Sequence, residues 1–349
     1  MNSAVRPATH RIAGTPALSV VVPAHNAASS ISNVLEAILA SDLPEHDLEV
    51  IVVDDASTDL TAAIAWKSTD RVIAIRGEPR GPAFARNRGF ESARADIVAF
   101  VDADVCVRSD ALRRCIEHFG DDPSLAAVFG SYDDTPSDPA FVSQYRNLLH
   151  HYVHQRGKGP AISFWAGCGA VRRQPLIEAG MFDEKKYARP AIEDVELGYR
   201  LHAQGHRLLL DPLIQGTHRK SWKLIPMLRS DFLNRGVPWI RLLLSRRTMP
   251  GSEGLSVGSA DKLSAAIVAL FGASAVAAIL LRHLIAGAVA LACLVLFFIV
   301  NRDLILWFRQ KRGVFFAVRA FGMHLLYHAN NVASVTYGTI TYFLRPARA

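Results

Sequence analysis

In the N-terminal part of the chain, short apolar runs alternate with stretches whose apolar residues recur at helical spacing. "ALSVVVPAHN" reads as a buried strand stopped by Pro23, after which Ile31, Val34, Leu35, Ile38 and Leu39 repeat as one face of a helix. "LEVIVVDDAS" predicts a second strand, with Ser57 and Asp59 opening a helix that carries Leu60 and Ile64. "RVIAIR" predicts a third strand, "GPAFARNRGFESA" a third helix and "DIVAFVDA" a fourth strand. Such a βαβαβαβ series of short apolar strands implies an α/β domain with a mostly parallel sheet covered on both faces. Ligands of open α/β sheets bind beyond the carboxyl ends of the strands. The polar residues collect there: His25 and Asn26 after the first strand, Asp54 and Asp55 after the second, Asp102 and Asp104 after the fourth.

The pattern changes near residue 262. Leu263 to Leu281 carries no charge, and after Arg282 and His283 the uncharged stretch resumes from Leu284 to Val300. Each run is about the length of a helix that crosses a hydrocarbon core, and two in succession disfavour a buried soluble pair. The interruption leaves room only for a tight turn, so a transmembrane helical hairpin is expected. Arg241, Arg246, Arg247 and Lys262 before it and Arg302, Arg309, Lys311 and Arg312 after it place both outer ends in the cytoplasm. The first residues, "MNSAVRPATHRIAGTPA", have no apolar core and do not read as a signal peptide, so residues up to about 250 are expected inside the cell.

Length and composition agree with this division. The 349 residues, half of them hydrophobic, suffice for one large soluble domain with a further segment beside it. Cys106, Cys115, Cys168 and Cys293 show no paired spacing, which fits a reducing compartment and argues against a zinc site.

Candidate chemistry centres on "IVAFVDADVCV", where Asp102 and Asp104 sit one residue apart in an apolar run. Aspartates at strand ends often only form turns. Here no Gly or Pro completes a turn, and Val105, Cys106 and Val107 continue the run. No Gly-x-Gly-x-x-Gly follows the first strand and no Gly-x-x-x-x-Gly-Lys loop occurs, so phosphates are not held by a glycine cradle. Two carboxylates at a strand end suit the other solution, a divalent cation bridging protein and substrate phosphates.

"VVPAHN", "VIVVDDASTD", "ARNRGFESARADIVAFVDAD", "GCGAVRRQPLIEAGMFDE" and "EDVELGYRLHAQG", in that order, resemble the family 2 glycosyltransferases of GT-A (Rossmann-like) fold over residues 17–220. The resemblance implies inverting transfer from a nucleotide diphosphate sugar, aided by Mg2+ or Mn2+. It implies that Pro23, His25, Asn26, Asp54 or Asp55, Arg86, Asn87, Asp102 and Ala103 line the nucleotide site. Asp102 and Asp104 would hold the metal, with His218 of "GTHRKSW" beside it, although a satisfied core histidine is a competing reading. Glu193 and Asp194 match the family's acidic pair, with Asp194 as candidate general base. The same two acids would also favour a helix start through its dipole. Gly167 to Gly169 ("GCG") reads either as a bulge in a buried strand or, by the resemblance, as room for donor and acceptor to approach the backbone. The Gln-x-x-Arg-Trp motif of processive relatives is absent after the acidic pair; "QGTHRKSW" and "NRGVPW" have the right residue types at the wrong spacing.

Arg219 to Arg247 holds eight Lys or Arg and one acid, Asp231, interleaved with Trp222, Leu224, Ile225, Leu228, Phe232, Trp239 and Leu242 to Leu244. Such interleaving can mark a nucleic-acid surface. Beside a membrane hairpin an interfacial helix on anionic lipid is the better reading, with no nucleic-acid partner. Residues 314–344 are apolar but broken by Arg319, His324, His328, Asn330 and Asn331, and predict a third span, a re-entrant pair or an amphipathic surface helix. The expected organisation is a tail (1–16), a GT-A domain (17–220), a basic interfacial segment (221–262), the hairpin (263–300) and a membrane-associated tail (301–349). The expected function is transfer of a single sugar to a lipid or lipid-linked acceptor, by a multi-pass protein of the cytoplasmic membrane whose catalytic domain faces the cytoplasm. A polyprenyl-phosphate sugar synthase, whose phosphate acceptor needs no general base, and a catalytically silent scaffold or carbohydrate-binding protein are the alternatives.

Overall fold

A computed structural model describes residues 14–246 and 258–344. Most of the tail expected over 1–16, part of the basic segment and Arg247 lie outside the described residues. Strands are β1 (Leu18–Ala24), β2 (Leu48–Asp55), β3 (Val72–Ile75), β4 (Ile97–Val101), β5 (Val105–Val107), β6 (Leu125–Tyr132), β7 (Gly159–Ala161), β8 (Cys168–Arg172) and β9 (Arg207–His218). Helices are α1 (Ile31–Leu39), α2 (Thr61–Ala65), α3 (Pro82–Ser92), α4 (Ala111–Asp121), α5 (Phe141–Arg156), α6 (Arg173–Glu178), α7 (Glu193–Ala203), α8 (Leu224–Ser230), α9 (Val237–Arg246), α10 (Ser259–Leu280), α11 (Leu284–Arg312) and α12 (Val314–Leu344). Contacts divide the chain into two compact units: residues up to Ser137 with Val153–Lys220, and Asp138–Tyr152 with the chain from Ser221 onward.

The first unit is built on one mixed sheet in the order β3-β2-β1-β4-β8-β6-β9-β5, with β7 on β9. The expected βαβαβαβ series forms its parallel half, β3-β2-β1-β4. Beyond β4 the sheet departs from the parallel expectation, because β8 runs antiparallel between β4 and β6. Val20, Val22, Val52, Ala99, Val101 and the inward face of α1 (Ile31, Val34, Leu35, Ile38) form one buried core.

Three local expectations change. Pro23 does not stop β1: the pairing with β4 ends where Val21 faces Phe100, so Pro23 faces β2 alone and its missing N–H breaks no bond on the β4 side. The second helix is the short α2, and Leu60 stands at its N-cap, 68% exposed, instead of within it. Asp59 forms an Asx turn just before the helix, its Oδ1 accepting from the Thr61 N–H at 2.9 Å.

In the second unit, α10 and α11 are joined at the expected turn, with Arg282 at φ 52°. Both are long and apolar enough to cross a membrane, and only 22% and 17% of their most apolar windows are buried. Large side chains such as Ile279 (76%) and Leu284 (91%) stand exposed, the reverse of a soluble core pair. Residues 314–344 form the single helix α12, which excludes the re-entrant pair. Its buried stripe includes Ala317, Ala320, His324 and His328; Ala317 and Ala320 belong to a cluster with Tyr145, Leu148, Trp222, Met227, Leu304 and Phe308. His324 is satisfied there, Nδ1 pairing with Tyr145 Oη at 2.9 Å and Nε2 with Asn301 Oδ1 at 3.1 Å.

Candidate active site

The loops after β1 and β2 are tied together before any ligand is considered. His25 Nδ1 meets the Asp55 carbonyl at 2.7 Å, Asn26 Oδ1 accepts from the Thr58 N–H at 2.9 Å, and the Asn26 N–H donates to Ser57 Oγ at 2.8 Å. Asn26 takes a positive φ of 50°, a conformation its short polar side chain tolerates. Asp55 spends both oxygens on the loop before α3, accepting from the Arg80 N–H at 2.9 Å and the Gly81 N–H at 2.7 Å. Gly81 is required there: φ is +92°, and a Cβ would lie 2.7 Å from the Ala188 carbonyl oxygen. Asp54 is as deeply buried, but its Oδ1 has no protein partner. Of the two acids, Asp54 therefore retains hydrogen-bonding capacity and Asp55 shapes the loop.

Arg86 and Asn87, neighbours on α3, part company. Asn87 is clamped to the loop after α6: its Nδ2 donates to the Phe182 carbonyl at 2.9 Å and its Oδ1 accepts from the Phe182 N–H at 3.0 Å. Its amide is thus engaged within the protein on both its oxygen and its nitrogen. Arg86, also buried, donates from Nη1 to Glu193 Oε1 and from Nη2 to Asp102 Oδ1, both at 2.8 Å. One guanidinium thereby joins the strand-end acids to the acidic pair, and flanked by these carboxylates it is held firmly protonated.

Asp102 and Asp104 follow β4 with side chains about a third open, 31% and 29% exposed. Burial raises the Asp102 pKa; Arg86 opposes that effect, while Asp104 and Glu193 add to it. For Asp104 burial acts in the same direction but is outweighed by His218 and Lys220, which hold the carboxyl below its ordinary range. His218 Nε2 lies 3.6 Å and Lys220 Nζ 4.0 Å from Asp104 Oδ2. The His218 ring stacks on Tyr132, centroids 4.3 Å apart and planes within 11°. Ala103 enters through its backbone, its carbonyl accepting from Ser30 Oγ at 2.7 Å.

Glu193 and Asp194 open α7. Glu193 is occupied by Arg86 and, through Oε2, by the Ala191 N–H at 2.9 Å. Asp194 accepts from the Ala166 N–H at 3.0 Å and the Val195 N–H at 2.8 Å. Burial, with the Glu193 charge added, pushes its pKa up to about 7 against the pull of Arg86 and the two N–H groups. A carboxyl poised there can exchange a proton near neutral pH.

Among the described residues, no three His, Cys, Asp or Glu side chains converge as a preformed metal cage. The donor set still fits a hard cation of the Mg2+ or Mn2+ kind, which takes one or two carboxylates and leaves the remaining positions to phosphate oxygens and water. Asp102 and Asp104 are such a pair, and His218 faces Asp104. Three contributors were not read from the sequence: Lys220 beside Asp104, the Ala166 N–H beneath Asp194, and Trp165 next to it. Lys220 stands in the basic run of "GTHRKSW", and Trp165 follows Phe164 in "FWAGCG".

Residues 19–180 match the family described as glycosyl transferase family 2. Over 230 residues the chain is 26% identical to poly-beta-1,6-N-acetyl-D-glucosamine synthase of Staphylococcus aureus, covering 64% of this chain and 53% of that protein. The chain thus spans about half the length of the curated relatives it matches. In fold it is similar to the mannosyltransferase PcManGT from Pyrobaculum calidifontis, solved with GDP-Man and Mn2+: TM-score 0.55, 20% identity, 95% of this chain and 88% of that one. It is also similar to residues 1–349 of S. aureus TarS, solved with UDP-GlcNAc: TM-score 0.50, 18% identity, 94% and 91% covered.

Proposed function

Taking residues 19–180 as a glycosyl transferase family 2 domain, we propose that the protein moves a single sugar, with inversion, from a nucleotide diphosphate sugar to a lipid or lipid-linked acceptor at the cytoplasmic face of a membrane. The observation that carries the chemistry is Asp194: a carboxyl lifted to a pKa of about 7, set on two backbone N–H groups, and one residue from the Glu193 side of the Arg86 bridge.

The nucleotide lies against the ends of β1 and β2, where Asp54 keeps an unpartnered oxygen and the His25 and Asn26 loop is already braced. Asp102 and Asp104 would hold Mg2+ or Mn2+, and such an ion, when bound, supplies positive charge for the departing diphosphate. His218 and Lys220 keep Asp104 ionised for that purpose. Asp194 takes the proton of the acceptor hydroxyl as its oxygen attacks the anomeric carbon from the face opposite the diphosphate. The new C–O bond forms, the bond to the diphosphate oxygen breaks, and the electron pair leaves with the diphosphate. Arg86 holds Glu193 and Asp102 in place.

The lipid half of the proposal is supported by the exposed apolar faces of α10 and α11 and by the Lys and Arg residues flanking them. Those flanks favour a cytoplasmic location for both outer ends of the hairpin. Single transfer is supported by the missing Gln-x-x-Arg-Trp motif and by the presence of two candidate spans among the described residues. Purified full-length protein, incubated with Mn2+, a panel of nucleotide sugars and labelled membrane lipids, is expected to consume one donor and yield a lipid heavier by one sugar in mass spectrometry. A ladder of products would replace single transfer with chain elongation. No consumption of any donor would remove the enzymatic reading.

A further inference from the structure

From Ala161 to Val171 every residue is buried except Trp165. A large apolar ring left partly open in such a run is costly to solvate unless something covers it in use. Its position shows what that cover is. A Cβ at Gly167 would lie 2.5 Å from the Trp165 ring, so the indole rests directly on that glycine. The Gly167 carbonyl accepts from the Asp102 N–H at 3.2 Å, and the Ala166 N–H donates to Asp194 at 3.0 Å. The ring therefore rests on backbone bonded on one side to the strand-end acids and on the other to the candidate base. Tyr132, also half-buried, meets Trp165 edge-on with centroids 4.9 Å apart, and its face stacks on His218, which looks onto Asp104. An aromatic wall thus runs from the Asp194 side of the site to the Asp104 side.

We propose that Trp165 and Tyr132 form the subsite for the transferred sugar ring. The inference rests on the reading of the donor as a nucleotide diphosphate sugar. A sugar joined to a diphosphate held at Asp104, and attacked by an acceptor deprotonated at Asp194, has to occupy the interval that this wall borders. Pyranose rings present faces of C–H groups that pack on aromatic rings, whereas their hydroxyls point to the rim, so the faces of a Trp and Tyr wall suit a sugar and not a bare diphosphate. The glycine of "GCG" acquires its reason here: Gly167 lets the indole lie flat, and any side chain would lift it.

The test compares binding of UDP with UDP-GlcNAc, and of GDP with GDP-mannose, by calorimetry in Mn2+ on the full chain. Wild type is expected to bind one sugar nucleotide more tightly than its parent diphosphate. Trp165→Ala should leave that diphosphate's affinity within about twofold and weaken the sugar nucleotide by about tenfold, with Trp165→Phe recovering part of the difference and confirming a folded site. Equal weakening of diphosphate and sugar nucleotide in both variants would make Trp165 a structural plug and overturn the subsite. Equal wild-type affinity for both ligands of each pair would overturn it while leaving nucleotide binding intact. Binding of none of the four by wild type would overturn it together with the donor reading.

Discussion

The two acid pairs of the candidate site begin alike and end differently. Asp102 and Asp104 follow β4, Glu193 and Asp194 open α7, and each pair gives one carboxylate to Arg86 at 2.8 Å. The remaining members diverge. Asp104 faces His218 and Lys220 and is held as an anion below the ordinary carboxylate range. Asp194 is half-buried beside Glu193, its hydrogen-bond partners among the described residues are backbone N–H groups, and its pKa rises to about 7. Two side chains of identical chemistry are thus shifted in opposite directions from their ordinary value. The distinction comes from their neighbours.

The sharpest way to break this contrast is Asp194→Asn, which removes the proton acceptor and leaves the other pair untouched. Turnover is expected to fall by about 10² or more while nucleoside diphosphate affinity is kept. Steady-state kinetics beside calorimetry reads both, and unchanged turnover would favour the polyprenyl-phosphate synthase, whose acceptor is already ionised.

Asp104→Asn attacks the other side. Affinity for a nucleoside diphosphate in Mn2+ is expected to fall by about tenfold or more, since a neutral amide cannot balance the cation, with little change in metal-free solution. Equal affinities with and without Mn2+ in both proteins would take Asp104 out of the metal site.

Arg86→Lys tests the bridge. Lysine keeps the charge but cannot fork to Glu193 and Asp102 together. With the pull of Arg86 on Asp194 weakened, the acid limb of the kcat/KM profile should move to higher pH than the wild-type limb near 7. A limb that stays in place would show that the bridge does not reach Asp194.

The smallest effect concerns stability. Asp194 binds its proton more tightly in the folded chain than its ordinary value of 3.8 allows, so wild type loses stability as pH rises from there to about 7 and no further above it. Asp194→Asn lacks this loss and should resist denaturant better than wild type at pH 8 but not at pH 3.5. Parallel pH dependence in the two proteins would place the raised proton affinity on another group.

What the sequence determined by itself was local and periodic. The alternation of apolar strands with helices, the acids at strand ends, the helical hairpin and the basic stretch beside it were legible because each is a pattern over adjacent residues, fixed by the 2.0 and 3.6 periods of the backbone. Tertiary structure decided the partners. Arg86 meets residues 16 and 107 positions away, Asn87 pairs with Phe182, and β8 enters the sheet antiparallel although its buried run reads the same in either direction. It also set the opposite pKa shifts of Asp104 and Asp194, and it laid Trp165 over Gly167 between the two pairs. Periodicity reports which face of an element is covered, whereas hydrogen bonds and charge interactions act over a few ångströms of space, and which groups come that close is set only when the chain has folded.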